Sequence, residues 1–439
     1  MGIKVCKFGG TSMADGTAID NVAGIVLSDC KRRYVVVSAP GKRAKEDEKV
    51  TDLLYKCCDE VRTLGNCDES FGKIRQRFVE IVSSLGLKFD IEKVLDETQE
   101  KIVALKGDRD FAASRGEYLN ARIMAARLDY EFVDAAEIVK FDVEGNFDSE
   151  YTNDLCRKRF AKVKNAVVPG FYGSLPDGKI KTFSRGGSDI TGAIVARAVE
   201  AELYENWTDV DGFMTCDPRI VENPKVIDVL SYKELRELAY MGASVLHAEA
   251  IFPVSTSGIP INIKNTFQPS AKGTMIVPLS KYFGASNIIT GIAGLKGFSV
   301  IFIDKSMMNS ELGFARKVLT ILEHNGISFE HMPTGIDTLS LVISSDQLKD
   351  GMKEKLVNRI TGACSPDHIT VVEDMALIAI VGHGMKAKKG TVARLCNAVA
   401  GAGINIRMID QGSSELNIIV GVDNADYENA IKAIYKEFF

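Results

Sequence analysis

Apolar residues in the first part of the chain come in short dense runs separated by stretches of helical spacing. IKVCKFG and RYVVVSAP are β-rich runs, and a helical pattern near Ala18 to Asp29 lies between them. YEFVDAAEIV, NAVVPGFYGS, KIKTFSRGG, AELYENWTDVDG and IPINIKNTF continue the strand-like series. Helical patterns such as ITGAIVARAVEA and YKELRELAYMGASVL separate them. Strands alternating with helices predict an α/β sheet covered on both faces. In such a sheet, ligands bind at the strand ends, where these loops carry Gly, Ser, Thr and Asp. Asp52 to Leu105 is helix-rich and charged, and reads as an insertion covering that site.

The rhythm breaks at Gln268 to Asn287, which holds Pro269 and Pro278. Beyond it, FSVIFI, ELGFARKVLTILEHNG, ISFEH, TLSLVIS, QLKDGMKEKLVNRITG and HITVVED read as one complete βαββαβ unit. ALIAIVG starts a second unit that stops one strand short. The unpaired run NIITGIAGL, which precedes the first unit, supplies the missing strand. The pattern therefore predicts a first unit at about 296–374, inserted into a second formed by about 286–295 and 375–439. The preceding residues, 1–283, form a separate domain. ELGFARKVLTILEHNGIS and KKGTVARLCNAVAGAGIN make this an internal repeat of the split βαβ type.

Composition narrows the classes. The net charge of the 439 residues is -5, so no basic field favours nucleic acid. No apolar run approaches the ~18–20 residues that span a bilayer, and the chain enters strand-like sequence at once, without a signal peptide pattern. The nine cysteines are scattered without C-x-x-C pairs, which reads as reduced thiols in a cytoplasm. The five histidines show no metal-ligand spacing, so no protein-built metal site is expected.

Four stretches carry chemistry. In KFGGTS, Gly9 and Gly10 let backbone amides approach an anion and Lys7 adds a point charge. Lys7 precedes the glycines, so this is not the common nucleotide loop. The plain alternative is a tight turn with a surface lysine. In KTFSRGGSDITGAIV, a strand again leads through two glycines into a helix, with Arg185, Ser188 and Asp189 at the turn. Helix capping explains one of these residues but not the arginine with both glycines. NWTDVDGFMTCDPR places Thr208, Asp209, Asp211, Asp217 and Arg219 in one loop. A calcium loop fails there, because Ile220 stands where the closing glutamate belongs. In ASRGEYLNARIMAARL, Glu117 opens a helix, where an acid is also ordinary dipole chemistry. Ser38 and Thr51 add hydroxyls near another strand end. Together these suit phosphoryl transfer, which is mostly positioning and charge stabilisation.

In this order the four motifs resemble those of the aspartate kinases in the amino acid kinase family, and the paired C-terminal units resemble ACT domains. The resemblance spans essentially the whole chain and is to the monofunctional enzyme, without a homoserine dehydrogenase extension. It implies an amino-acid-kinase-type α/β sandwich with a mostly parallel central sheet, followed by two ferredoxin-like ACT domains. It implies ATP and Mg²⁺, L-aspartate as acceptor and 4-phospho-L-aspartate as product, the first step toward lysine, threonine and methionine. Lys7, helped by the Gly9 and Gly10 amides, would stabilise the transferring phosphoryl group. Asp189 would orient the lysine or the metal-bound phosphates. Arg185 and Ser188 would hold the substrate carboxylate, Glu117 its ammonium, and Thr51 would touch the substrate. Thr208, Asp209, Met214 and Arg219 fall at nucleotide positions, with Met214 where a tyrosine is common. The second nucleotide lysine has no clean match: Lys264 is favoured, with Lys272 as the alternative. In the ACT pair, Ser310, Gly313, Phe314, Ala315, Phe329 and Glu330 would line an amino-acid effector site, for lysine first and threonine second, unless these positions are ordinary core. Side-by-side pairing of ACT units implies a homodimer or larger assembly.

Two other readings stay open at this level. One is a kinase for glutamate or N-acetylglutamate. The other is an amino-acid sensor with an inactive kinase domain, which the intact Lys7, Arg185 and Asp189 oppose.

Overall fold

The computed structural model describes residues 2–439 except 185, 244, 247, 283–286 and 387. The chain divides into two compact units, one made of 1–213, 226–239 and 244–283, the other of 214–225, 240–243 and 284–439.

Among the described residues, the first unit holds ten strands: β1 (Lys4–Phe8), β2 (Arg32–Val37), β3 (Glu131–Phe132), β4 (Ala166–Pro169), β5 (Tyr172–Ser174), β6 (Ile180–Thr182), β7 (Leu203–Thr208), β8 (Val229–Ser231), β9 (Ile261–Asn265) and β10 (Thr274–Val277). Eight of them form one sheet in the order β3-β4-β2-β1-β7-β9-β10-β8, and β5 pairs with β6 alone. All neighbours in the large sheet run parallel except β9 and β10. The sheet is thus mostly parallel and doubly covered, as its apolar runs require. Strand alternation sends Cys6, Phe8, Val35, Val37 and Trp207 to one face, where they share a core with the helices Gly16–Leu27, Val50–Leu64, Asp68–Ser84, Ile91–Ala104 and Arg109–Leu128. The charged segment 52–105 therefore supplies a layer of this core. Phe71, Ile74, Phe78 and Leu95 are fully buried there. β10 lies inside the expected break at 268–287, because TMIV finds two partner strands despite the flanking prolines.

The second unit contains one antiparallel sheet built from β11 (Gly291–Asp304), β12 (Thr338–Ser344), β13 (His368–Val381), β14 (Met408–Asp410) and β15 (Asn417–Asp423), in the order β12-β11-β13-β15-β14. Two pairs of expected strands are each one continuous strand. β11 joins the C-terminal part of NIITGIAGL to FSVIFI, and β13 joins HITVVED to ALIAIVG. Gly297, at φ 90°, marks an irregularity in the β11 register, which shifts between Leu295 and Phe298 and again before Val300. The expected strand ISFEH is not one. Gln347 takes both the Ser328 N–H and the Ser328 carbonyl with its side-chain amide, leaving isolated bridges at His331 and Thr334. Two cores form on this sheet. One is around Phe314, Val318 and Leu356, and the other is around Leu395, Tyr427 and Ile431.

Candidate active site

The site starts from a register. β1 and β7 lie side by side with Lys7 opposite Asn206. Because side chains alternate, both point away from the Cys6–Trp207 face and toward the helix Gly187–Ala198. Asp189 stands in the first turn of that helix, where the dipole favours an acid. Lys7 Nζ lies 2.6 Å from Asp189 Oδ1, with side chains only 10% and 13% exposed. Asn206 Nδ2 donates to the same oxygen at 2.9 Å. The Tyr204 hydroxyl donates to the Asp189 carbonyl at 3.1 Å. Burial raises the Tyr204 phenol far above its usual range, so it stays a donor. The helix is entered through Gly186 in the left-handed region, at φ 57°. This is one structural reason for a glycine in FSRGGSD. Ser188 is buried beside Gly170. Arg185 lies outside the described residues.

The KFGG loop differs from its expected use. The Gly9 amide donates to the Trp207 carbonyl at 3.1 Å, extending the β1–β7 ladder, so it is not available to an anion. The Gly10 amide has no partner among the described residues. The Gly10 carbonyl accepts from the Gly41 amide at 2.8 Å. A Cβ on Gly41 would sit 2.6 Å from the Gly10 carbonyl carbon, so this crossing of two loops needs glycine. Arg77, 5% exposed, fastens the second loop through the Gly41 carbonyl and the Asp47 carboxylate, both at 2.6 Å.

Glu117 does not open a helix. The helix starts at Arg109, capped by Asp108, whose carboxylate accepts from the Phe111 amide at 2.8 Å, and Glu117 lies in its middle. Gly116 brings that helix against Ala39, and Asn120 donates to the Ser38 carbonyl at 2.7 Å. Glu117 is 6% exposed and its Oε2 has no hydrogen-bond partner. Burial pushes its carboxyl up to about 8, against the pull of the Ala39 amide and the Arg115 charge. Arg115 itself is packed over the rings of Phe111, Tyr118 and Tyr172 at 4.4–5.3 Å. An orphaned buried carboxylate oxygen fits a cationic group of a ligand. Thr51 is partly exposed in the first turn of Val50–Leu64.

The nucleotide-side residues separate. Thr208 ends β7, with its hydroxyl 3.2 Å from the exposed Asp209 carboxylate. Lys264 is on the face opposite Lys7. It donates to the Ala271 carbonyl at 2.8 Å and lies over the Trp207 ring at 5.2 Å, so it is not part of the Lys7–Asp189 cluster. Lys272 is exposed. Met214 and Arg219 belong to the second unit, and the Arg219 side chain, 85% exposed, pairs with Asp217 at 2.6 Å. Also in that unit, Gly313 adopts φ 80° before the helix Phe314–His324. Phe314 fills the core there and offers a ligand only its backbone, while Ala315 packs against that core. Ser310 and Phe329 are exposed, and the Tyr240 hydroxyl donates to the Glu330 carboxylate. Among the described residues, no three acidic, histidine or cysteine side chains gather as a metal cage, and no helix is long and apolar enough to cross a membrane.

Asn206 and Tyr204 were not singled out by motif. Pairing KVCKF with YENWT in parallel register is the signal that places Asn206 beside Lys7.

Residues 2–265 match the amino acid kinase family, and residues 378–438 match an ACT domain. Aspartokinase 3 of Bacillus subtilis (strain 168) is 41% identical, covering 100% of this chain and 99% of its own. The crystal structure of Clostridium acetobutylicum aspartate kinase superposes with a TM-score of 0.93 at 52% identity, covering 100% of both chains. E. coli aspartokinase III superposes at 0.78 and 26% identity in complex with aspartate and ADP (R-state), covering 99% of both chains. In complex with lysine and aspartate (T-state), it superposes at 0.74 and 27%, covering 100% of this chain and 99% of that one. The chain belongs to the amino acid kinase family and, within it, to the aspartate kinases, phosphotransferases with a carboxyl group as acceptor.

Proposed function

We propose that Lys7, Asp189, Glu117, Ser188, Thr51 and Arg185 carry the reaction as one site. ATP gives its γ-phosphoryl group to the side-chain carboxylate of L-aspartate. A carboxylate oxygen forms the new bond to phosphorus, and the bond from phosphorus to the bridging oxygen breaks with its electron pair leaving on ADP. Lys7 neutralises charge on the transferring group and Asp189 holds Lys7 in place. Glu117 takes the substrate ammonium, and Arg185 with Ser188 its carboxylate. The observation that carries this reading is the largely buried Lys7–Asp189 pair at 2.6 Å, in a unit that also holds the partnerless Glu117 oxygen. The aspartate and ADP bound to the E. coli relative support it. Magnesium fits as a companion of the nucleotide phosphates, since it commonly keeps waters and needs one or two carboxylates, and no dedicated cage is present among the described residues. Thr208, Asp209 and Gly10 remain the nucleotide candidates of this unit, whereas Met214 and Arg219 belong to the other.

Regulation extends the proposal. A first ACT unit at about 296–374, inserted between 286–295 and 375–439, would bind lysine, or threonine in second place, around Ser310, Gly313 and Glu330. The lysine complex of the E. coli relative supports lysine. The product would feed lysine, threonine and methionine synthesis in the cytoplasm, from a homodimer or dimer of dimers paired through ACT units.

The test is a hydroxylamine-trapped acyl-phosphate assay with ATP, Mg²⁺ and L-aspartate, with and without each effector. Lys7→Ala is expected to lower turnover by at least ~10²-fold, the scale of one lost transition-state donor. Turnover near wild type would remove Lys7 from its role. Product from glutamate or N-acetylglutamate but not from aspartate would change the acceptor.

A further inference from the structure

Asn206 is 3% exposed and faces Lys7 across the β1–β7 register. Its Nδ2 donates to Asp189 Oδ1 at 2.9 Å, and its Oδ1 accepts from the Lys7 ammonium at 3.5 Å. Lys7 Nζ in turn lies 2.6 Å from that same Asp189 oxygen. The three side chains close a triangle. An amide suits it because one end donates to the acid while the other accepts from the ammonium. On its other side, β9 presents the apolar Ile263. Among the described residues, the charged groups facing the amide are therefore Lys7 from β1 and Asp189 from the helix Gly187–Ala198. Tyr204 holds the Asp189 main chain.

A lysine locked onto one carboxylate is a poor phosphoryl ligand. Its N–H groups must turn toward phosphate oxygens, and the half-buried Asp189 would then be left bare beside a polyphosphate. We propose that Asn206 is a positioning residue for the transfer: it keeps Asp189 Oδ1 satisfied while Lys7 engages the transferring phosphoryl group. The inference rests on the role given to Lys7 above.

Two variants test it, with kcat and both KM values followed from pH 6 to 9 by the acyl-phosphate trap. Asn206→Leu keeps the branched outline, though with bulkier ends, and removes both hydrogen bonds. It is expected to lower kcat about 10–100-fold while each KM moves less than about threefold. Asn206→Asp places a second carboxylate against Asp189, and two carboxylates at that distance share a proton. Protonated, the new side chain donates as the amide does. Ionised, it repels Asp189 and clamps Lys7. The kcat of this variant relative to wild type is therefore expected to climb as the pH falls, approaching tenfold per pH unit. A side chain that only fills space would give no such slope. If the leucine variant does not fold, the aspartate variant, which keeps the shape, decides alone. Lys7→Met is measured beside them. A Lys7 variant with wild-type kcat would remove the underlying reading. An inactive Lys7 variant, together with wild-type kcat in the leucine variant or a flat pH ratio in the aspartate variant, would overturn the role of Asn206 alone.

Discussion

If Glu117 takes the substrate ammonium, as proposed above, aspartate binding becomes a proton-linked event. Burial, with one oxygen unpartnered, pushes the Glu117 carboxyl up to about 8 from an ordinary value of 4.5. At pH 7 only about one molecule in ten then carries the carboxylate that an ammonium requires. Binding has to expel the proton, so the apparent affinity falls about tenfold for each pH unit below 8 and levels off above it. Between pH 6 and pH 8 the aspartate KM should drop about fifty-fold, provided binding is at equilibrium. Close to one proton should be released per aspartate bound at pH 7. The stability linkage has the opposite sense. The native state holds this proton more tightly than the unfolded chain, so the Glu117 contribution is intact below about 4.5. It is lost as the pH rises toward about 8, on the order of 5 kcal/mol in all. Calorimetry of aspartate binding in buffers of different ionisation enthalpy counts the proton, and initial rates across pH 6–8 give KM. Glu117→Gln should abolish both the proton release and the slope, and bind aspartate weakly at every pH. An aspartate KM that is flat from pH 6 to 8 in the wild type, with no proton released, would refute the reasoning.

Two further outcomes are expected. Gly41→Ala forces a Cβ to within 2.6 Å of the Gly10 backbone, where no flexible side chain can yield. Thermal melting should show a loss of about 1–3 kcal/mol, with activity reduced because the KFGG loop is displaced. Tyr240→Phe removes the hydroxyl that occupies Glu330. If the effector ammonium takes that carboxylate, calorimetric lysine affinity should rise about threefold, and an unchanged or weaker affinity would separate Glu330 from the effector.

The sequence carried the large features where the periodicity was strong and local. The parallel sheet, the break in rhythm and the strands IKVCKFG and AELYENWTDVDG are read from apolar runs. What it concealed depends on partners far along the chain. ISFEH has strand-like spacing, but Gln347 captures its backbone. TMIV is short and flanked by turn residues, yet two neighbours pair with it. Glu117 looks like a helix start because R-G-E suggests a loop, whereas the Asp108 cap lies well upstream. A glycine amide at a strand end is often free, which points Gly9 toward a phosphate, and here the ladder consumes it. Lys264 and Lys7 are both lysines on sheet strands, and only the register with Trp207 shows that they face opposite sides. Asn206 is the converse case: it matched no motif and becomes visible only once two distant strands are aligned.

The continuous strands β11 and β13 have a mechanical consequence. Leu295 pairs with Leu377 and Phe298 with Met375, so the chain leaves and re-enters the 375–439 portion at adjacent points, beside the register irregularity. Beyond that point the chain continues as β11 and β13 side by side, with β12 on the outer edge of β11 and Gly297 at the irregularity. Residues 298–304 add about 20 Å at the usual rise of a strand. His331 Nδ1 lies 3.0 Å from the Asp410 carboxylate, a polar contact that spans the two portions. A load placed near Glu330 would reach the 375–439 portion through the paired strands and this contact, so Asp410→Ala would weaken one of those routes without touching Glu330.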